Sequence, residues 1–594
     1  MTIDQIIVVL VILFLIISLY KNLLGAGFSF MIAIAILGIT GILTSKEMLH
    51  GFANEQLGII IILLLIGEVI RKSTLLDNFF NRIFKNTVTF KKFILKLIFP
   101  VAGLSAIINN TPLVAIIMPY VVNWGKKNNV SPSKLLIPLS YAAILGGTAT
   151  LIGTSTNLVV NGMVEDQTVI PDFHSLSIFD FTPVGLSMII IGGVYLIFAS
   201  NKLLPDRSDP LENIDLKKRE YLVEIKVGRG SHFHNKTVEQ ANLRNLKGLF
   251  LVEIIRGEKS ISPVRPQTMI YEEDFLIFAG NTLTIADMIE NNKTLKPSQL
   301  GIFSERHKAS IVEVVVSPNS SLIDKTVKQT GFRGKFDAAI IAVHRNGEKL
   351  RGKIGDITLL PGDLLLLITG EDFEKRIDNK DFYLLNNVRN INKMPLKQSL
   401  LIAGGLILSI ALSSLGIIPL FKSLVVFLIL LFLTKIASPK DLYKTINYNL
   451  IMIIASSLAL GTAITKTGVA SEISTVFIEA FKPYGIFSIF IGLFILTNLL
   501  AAIITNIGAV AVVFPVAISL AAQLGVDPKP FALLVAYAGA ASFITPIGYQ
   551  TNLMVYGPGG YTFKDFMKIG LPMTVIFMLV ATLGLILQFG LKIN

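Results

Sequence analysis

The sequence predicts a polytopic α-helical membrane protein built from two inverted repeats, each with a re-entrant hairpin and a broken helix, with an α+β insert between them. Hydrophobic residues make up 52% of the 594 residues and charged residues 16%, whereas soluble chains carry about a quarter charged residues. The polar motif around Asn110 recurs in altered form around Asn506. Residues 205–395 contain short alternating apolar runs, which are typical of strands. These three observations carry the fold prediction.

Composition also excludes several kinds of protein. The chain has no cysteine, so it has neither a disulfide framework nor a thiolate metal site. A net charge of +13 would suit nucleic acid, but loop lysines and arginines on one membrane face explain it better. We therefore expect a lipid bilayer as partner, and no nucleic acid.

Each half contains five apolar segments long enough to cross a bilayer. In the first half they lie near 5–20, 26–44, 53–71, 133–163 and 182–203. In the second half they lie near 397–415, 419–436, 449–465, 530–556 and 571–591. Because five is an odd number, the second membrane repeat (396–594) is inverted relative to the first (1–204).

Two further apolar stretches carry a polar interruption in the middle. The stretch 109–112 (Asn-Asn-Thr-Pro) interrupts 87–124, and the stretch 505–508 (Thr-Asn-Ile-Gly) interrupts 484–523. Non-helical backbone survives inside a membrane only where protein or a water-filled cavity satisfies it. We therefore predict a re-entrant hairpin in each half, with the polar motif at its tip.

The fourth span of each half is also interrupted by small and polar residues. The interruptions lie at 146–157 and 542–552, and both end in Thr-Asn. They predict two broken helices. Matched interruptions in two halves are the best sequence indication of a transporter's binding site.

Loop charge predicts the orientation of the chain. Lysine and arginine are frequent in 71–134, whereas 163–181 has four acidic residues and no lysine or arginine. The positive-inside rule then places the N-terminus outside and 205–395 in the cytoplasm. We expect a multi-pass protein of the plasma (inner) membrane.

The insert repeats internally. Arg256 recurs as Arg345, 89 residues later, and other residues of the insert recur at the same spacing. We predict two small α+β modules, at 218–288 and 308–378.

The four interruptions suit the binding of an anion together with sodium. Helix N-termini, asparagine amides and hydroxyls donate to an anion, while unwound carbonyls and asparagine oxygens bind a cation. Asn110 and Asn506 offer both functions, and the breaks at 153–154 and 545–548 offer carbonyls and helix N-termini. Since the hairpin tips carry no lysine or arginine, we expect co-transported cations to supply the positive charge.

The polar residues also allow interpretations other than binding of an anion with sodium. The asparagines and threonines could only bridge helices, although four matched motifs argue against that. Glu68 could carry a proton, but an ion pair with Arg71 explains it better. His232 and His234 are interpreted as surface residues. No nucleophile–base pair, phosphate loop or metal cluster indicates an enzyme.

At these residues the chain resembles the divalent anion/sodium symporter family of the ion transporter superfamily. The triplets 109–111 and 505–507 are similar to that family's Ser-Asn-Thr hairpin tips. The resemblance implies a homodimer, elevator-type movement of the hairpin-bearing domain and sodium-coupled uptake of a small anion. The implied anion-binding residues are Asn109, Asn110, Thr111, Thr154, Thr505, Asn506 and Thr545. The implied sodium sites are Asn110 with Gly153 and Asn506 with Gly548, and Asn157 and Asn552 lie close to them in sequence.

The chain departs from that family at three positions. Asn109 and Thr505 replace the leading serine, and Ile507 replaces the last threonine. One hydroxyl is therefore missing, which argues against a two-ended dicarboxylate.

The insert resembles tandem C-terminal subdomains of RCK regulators (TrkA-C). Family members with such paired modules resemble sulfate permeases, and a small regulatory ligand would bind the modules. The resemblance thus predicts a sodium-coupled importer of a divalent inorganic anion, sulfate first. A C4-dicarboxylate/sodium symporter is the alternative. A regulated cation channel or potassium-uptake protein is the alternative from another class.

Overall fold

The computed structural model describes most of the chain. The described residues are 1–21, 23–71, 73, 75–173, 175–207, 222–243, 249–257, 259–261, 264–280, 295–297, 311–318, 320–345, 348–350, 352–369, 372–377, 381–385, 394–438 and 446–591. Parts of both predicted modules therefore lie outside the described residues.

Ten helices occupy the described first half. They are α1 (Ile3–Tyr20), α2 (Ala26–Ile39), α3 (Ser45–His50), α4 (Glu55–Arg71), α5 (Leu75–Phe84), α6 (Phe90–Ser105), α7 (Asn110–Lys127), α8 (Leu136–Gly147), α9 (Ser155–Asp166) and α10 (Thr182–Leu203). In the insert, the described helices α11 (Phe332–Phe336) and α12 (Phe373–Arg376) are short.

Nine helices follow the insert in the described second half. They are α13 (Leu396–Ser414), α14 (Leu420–Leu433), α15 (Tyr448–Lys466), α16 (Val469–Phe481), α17 (Gly485–Ile503), α18 (Asn506–Leu524), α19 (Lys529–Ala540), α20 (Gln550–Tyr556) and α21 (Phe563–Phe589). Eight of the described helical segments are long and apolar enough to cross a membrane. The prediction of a polytopic helical membrane protein is confirmed.

Each predicted interruption separates two helices. Residues 106–109 separate α6 from α7, and 504–505 separate α17 from α18. Residues 148–154 separate α8 from α9, and 541–549 separate α19 from α20. These non-helical segments are the places where backbone donors and acceptors are free to bind side chains or ligands.

Two described helices of ten or more residues were not predicted from the sequence. The short helix α5 has a strongly one-sided distribution of apolar residues, and α16 precedes the second hairpin and packs on α18. Neither carries an apolar stretch long enough to predict a separate crossing.

The insert contains two five-stranded antiparallel sheets with the same strand arrangement. Their orders are β4-β3-β6-β1-β7 and β10-β9-β11-β8-β12. The strands of the first sheet are β1 (Leu222–Val227), β3 (Leu249–Arg256), β4 (Lys259–Ile261), β6 (Phe275–Gly280) and β7 (Leu295–Pro297), and β2 (Lys236–Thr237) pairs with β5 (Met269–Ile270) beside it. Those of the second are β8 (Ile311–Val316), β9 (Ala338–Arg345), β10 (Glu348–Lys349), β11 (Leu364–Thr369) and β12 (Phe382–Leu384).

Equivalent ion pairs hold equivalent corners of the two sheets. Arg256 binds both carboxylate oxygens of Asp274, at 2.9 and 2.8 Å. Arg345 binds both carboxylate oxygens of Asp363, each at 2.7 Å. Such bidentate pairs are strong and geometrically specific, so the repeated residues in the sequence mark a repeated structural contact.

One apolar core runs through the membrane helices of both halves. It includes residues from α4, α8, α9, α18 and α19. Each sheet of the insert has a smaller core of its own. The second sheet also contributes Val315, Leu364 and Leu385 to the membrane core.

Candidate functional site

Each hairpin tip is followed directly by the N-terminus of a long helix, α7 in the first half and α18 in the second. Asn109 caps α7, because its side-chain oxygen accepts a hydrogen bond from the backbone N–H of Thr111 at 3.2 Å. Thr505 caps α18 in the same way, and its hydroxyl accepts from the N–H of Gly508 at 3.0 Å. Asparagine and threonine are preferred caps. Both leading residues of the tip motifs therefore have a structural role in addition to any contact with a ligand.

Asn110 is the central side chain of the first tip. It is 2% exposed, and its side-chain oxygen accepts a hydrogen bond from the Ser105 hydroxyl. Its amide nitrogen donates to the hydroxyl of Tyr549 at 2.7 Å. The amide thus connects the first hairpin to the break in the other half.

Asn506 is held in a comparable way in the second tip. Its side-chain oxygen accepts from the hydroxyl of Ser542 at 2.8 Å. In the first half the residue equivalent to Ser542 is Gly147, which Asn110 approaches closely: a Cβ at Gly147 would lie 2.8 Å from both amide atoms. Each tip asparagine therefore accepts from one serine hydroxyl, although the serines come from different elements.

The two breaks share one turn geometry. The hydroxyl of Thr150 accepts from the N–H of Gly153 at 3.2 Å. The hydroxyl of Thr545 accepts from the N–H of Gly548 at 3.1 Å. Local hydroxyl-to-backbone bonds of this kind satisfy a backbone that has left the helix.

A buried asparagine closes each break. Asn157 donates to the carbonyl of Thr150 at 2.8 Å, and Asn552 donates to the carbonyl of Thr545 at 3.1 Å. Both asparagines are 0% exposed. The side-chain oxygen of Asn552 accepts from Ser140 at 2.6 Å, whereas that of Asn157 is buried and has no hydrogen-bond partner.

Sequence reasoning missed two residues that connect the halves. The hydroxyl of Tyr549 lies 3.1 Å from that of Thr154, in addition to its bond with Asn110. The hydroxyl of Thr111 donates to the side-chain oxygen of Gln550 at 3.0 Å. Tyr549 occupies the position in the second break that Thr154 occupies in the first. This match between the repeats could have identified Tyr549 as a site residue.

Ile507, which follows Asn506 at the second tip, is buried. It is 8% exposed and belongs to the membrane core. Its effect on the size of a bound anion stays a prediction.

The arrangement concentrates neutral polar groups. The contacts just described use amides, hydroxyls and backbone groups, and among the described residues no group of three His, Asp or Glu side chains could hold a metal ion. Neutral donors with free helix N-termini bind anions, and carbonyl and amide oxygens bind sodium. The site can thus bind small ions without supplying a fixed charge.

A polar contact joins α9 to the start of α4 at the end remote from the break. The side chain of Gln56 donates to Glu165 at 2.8 Å, and that of Asn54 donates to Asp166 at 3.2 Å. Shielding from water, with repulsion from Glu55 and Asp166, raises the pKa of the Glu165 carboxyl to about 7. His50 lies 3.5 Å from Asp166.

Comparison with known proteins places the chain in a family. The family model described as a citrate transporter, CitMHS, matches residues 7–498 and 484–592. The chain belongs to the citrate transporter family. CitMHS is a family of transporters, and it is related to the family that the hairpin tips resemble.

Relatives of this CitMHS protein cover nearly all of it. A putative sulfur deprivation response regulator of Chlamydomonas reinhardtii is 31% identical over 96% of this chain and 99% of its own length. The uncharacterized transporter sll0640 of Synechocystis sp. is 30% identical over 94% and 92%. Sodium/sulfate cotransporter 1 of Chlamydomonas reinhardtii is 23% identical over 92% and 85%.

Proposed function

We propose that this protein is a sodium-coupled importer of a divalent inorganic anion, sulfate first. The observation that carries the proposal is the convergence of tip and break, in which Asn110 of one half binds Tyr549 of the other. Helix N-termini and neutral donors suit an oxyanion. The sodium/sulfate cotransporters among the relatives support the choice of ions.

The matched contacts support two inverted repeats. Thr150 and Thr545 form the same turn, and Asn157 and Asn552 close the two breaks with the same bonds. Two copies of one motif, facing each other about an axis in the membrane plane, form a site near the bilayer centre.

The sodium sites are proposed at the tips and breaks. The buried side-chain oxygen of Asn157 has no hydrogen-bond partner, and an unsatisfied buried oxygen is costly unless it binds a donor or a cation. The Asn157 side chain closes the break that contains Gly153, where backbone carbonyls do not take part in helical hydrogen bonds. We place one sodium at Asn110, Gly153 and Asn157, and a second at Asn506 and Gly548.

The anion would bind between the two halves. The groups available there are the side chains of Thr111, Thr154, Tyr549 and Gln550, together with the amide of Asn110. Asn109 and Thr545 hold the backbone that carries the groups at 110–111 and 549–550, and Thr505 holds the start of α18 with Asn506. Hydrogen bonds across the site bring the halves close together, which favours a compact oxyanion over a longer carboxylate.

Carboxylate transport is the second candidate. The description of the matching family as a citrate transporter favours it. The two candidates differ in the size of the anion, so competition between anions distinguishes them.

Movement of the site is proposed to follow an elevator mechanism within a homodimer. Helices α4 and α15 pack across α7, α9 and α18, and would form the stationary surface. The insert is proposed to lie in the cytoplasm as two TrkA-C-like regulatory modules.

The deciding experiment is uptake of radiolabelled sulfate into proteoliposomes. We expect uptake to require an inward sodium gradient at clamped pH, and to be inhibited by unlabelled sulfate more strongly than by succinate or citrate. Uptake that is unchanged without sodium would overturn the coupling. Inhibition by succinate or citrate but not by sulfate would reverse the order of the two candidates.

The contact between α9 and α4 predicts that the maximal rate of transport depends on pH. Burial of Glu165 where α9 meets α4 favours the protonated carboxyl, so the stabilisation is complete below about pH 4.5 and is lost as pH rises through about 7. If α9 must leave α4 for transport, the maximal rate should rise between pH 6 and 8 at fixed sodium. Glu165→Gln should keep the rate low and nearly independent of pH.

The neighbouring charges provide the control for this measurement. His50→Gln, measured in parallel, reports the part of the pH dependence that comes from the pair with Asp166. A Glu165→Gln variant that keeps the full wild-type pH dependence would exclude Glu165 as its origin.

A further inference from the structure

The second sheet of the insert packs directly on the membrane helices. Val315 is 0% exposed, Leu364 1% and Leu385 2%, and all three belong to the membrane core rather than to the core of their own sheet. Burial of apolar side chains away from water stabilises such a contact. The module is therefore docked through an apolar face.

At one point the docking is a backbone contact between two glycines. A Cβ on Gly557 would lie 2.2 Å from the carbonyl oxygen of Gly362, and its three nearest atoms all belong to the module. A Cβ on Gly362 would lie 2.7 Å from the carbonyl oxygen of Leu553. The turn of the module thus fits against the end of α20 only because both residues lack a side chain.

The equivalent turn of the first module lacks this fit. Glu273 occupies the position of Gly362, and both have a left-handed backbone, with φ of 67° and 83°. The Glu273 side chain is exposed and pairs with Lys226 at 2.5 Å. The left-handed conformation alone therefore does not require glycine here, whereas contact with α20 does.

The same module also touches the proposed stationary part. Met394, after the second sheet, pairs with Ser73, just beyond α4, in a parallel bridge. Tyr383 of β12 packs against the membrane core. The second sheet and the segment that follows it are therefore in contact with the end of α20 at one place and with the residue just beyond α4 at another.

Helix α20 connects this contact to the site. It has seven residues, about 10 Å at 1.5 Å per residue. Gln550, at its start, accepts from Thr111, and Tyr549 precedes it. A short helix moves as one body, so a contact at its end restrains the movement of the whole helix without touching the groups at its beginning.

We propose that the second module is a clamp that holds α20 against the region of α4 and slows movement of the site. The proposal rests on the transport function proposed above. Opening the Gly362–Gly557 contact would release α20 while leaving the binding groups intact, so the maximal rate would rise and KM would stay unchanged.

Gly557→Ala is the main test. The backbone of Gly557, at φ −64°, accepts alanine without strain. The three atoms nearest to the new Cβ all belong to the module. We expect the maximal rate of sulfate uptake to rise about fivefold or more, the lower range of allosteric coupling, with KM unchanged within about twofold. Gly404→Ala, where nothing lies within 4 Å of the new Cβ, is the control.

Gly362→Glu tests the other side of the contact by copying the first module. Its control is Gly331→Glu, which has the same left-handed backbone, with φ of 57°, and open space around it. Because Gly362→Glu and Gly557→Ala open one contact, the double variant should be no faster than the faster single variant.

A second measurement does not depend on transport. Because the chain has no cysteine, one introduced cysteine can be labelled selectively. With Leu385→Cys as the only thiol, maleimide labelling should be slow, and should become faster in Gly557→Ala but not in Gly404→Ala. Labelling and rates equal to those of the controls, or a lower maximal rate, would overturn the clamp. If the wild type takes up no sulfate, the proposed function fails while labelling still decides whether the module docks as described.

Discussion

Asn110→Ala should reduce sodium-driven uptake about tenfold or more, and Asn506→Ala should do the same. Each substitution removes an amide that accepts from a serine, and Asn110→Ala also leaves the Tyr549 hydroxyl without its donor. An unpaired buried polar group costs about 1–3 kcal/mol, and about 1.4 kcal/mol corresponds to tenfold. The measurement is the initial rate at several sodium concentrations.

The loss should include a weaker response to sodium, because the same side chains are the proposed cation ligands. Asn128→Ala is the control, since Asn128 caps the far end of α7 by donating to the carbonyl of Trp124 at 2.9 Å. A wild-type sodium dependence in both tip variants would show that the tips do not bind the cation.

Tyr549→Phe should reduce uptake about fivefold or more while preserving the fold. The substitution keeps the ring and removes the hydroxyl, so the amide of Asn110 and the hydroxyl of Thr154 both lose a partner. The cost of about 1–3 kcal/mol falls on groups in the proposed anion site. We expect a higher KM for sulfate, measured in proteoliposomes with matched protein content.

A matched control removes an equivalent hydrogen bond elsewhere. Tyr195 donates to the carbonyl of Ile569 at 2.8 Å, and Tyr195→Phe should leave the KM for sulfate unchanged. If Asn110 and Tyr549 act together, Asn110→Ala combined with Tyr549→Phe should cost less than the sum of the single effects. Equal effects of Tyr549→Phe and Tyr195→Phe on KM would exclude a role for Tyr549 at the site.

The spacing of apolar residues predicted most of the membrane helices because a bilayer sets the length of a crossing. The interruptions were equally visible, since small and polar residues rarely appear within an apolar span unless the backbone leaves the helix there. Repetition of Arg256 as Arg345 indicated a repeated module, and the structure has the same ion pair in both sheets. Each of these features depends on residues close together in the chain or on direct repetition.

Contacts between residues far apart in the chain could not be predicted from the sequence and were found only in the tertiary structure. Tyr549 and Gln550 differ in type from Thr154 and Ser155, their equivalents in the first half, so repetition did not indicate that they bind Asn110 and Thr111. The set of residues that surround Ile507 in the membrane core likewise depends on the packing of distant segments.

The sequence by itself determined the membrane class, the positions of the breaks and the polar character of the site. Only the tertiary structure decided which groups satisfy one another across the halves and where the second module docks. The physical reason is that length, periodicity and helix breaking are local properties of the chain, whereas hydrogen-bond partners and a glycine-to-glycine approach, such as that of Gly362 and Gly557, depend on how distant segments pack.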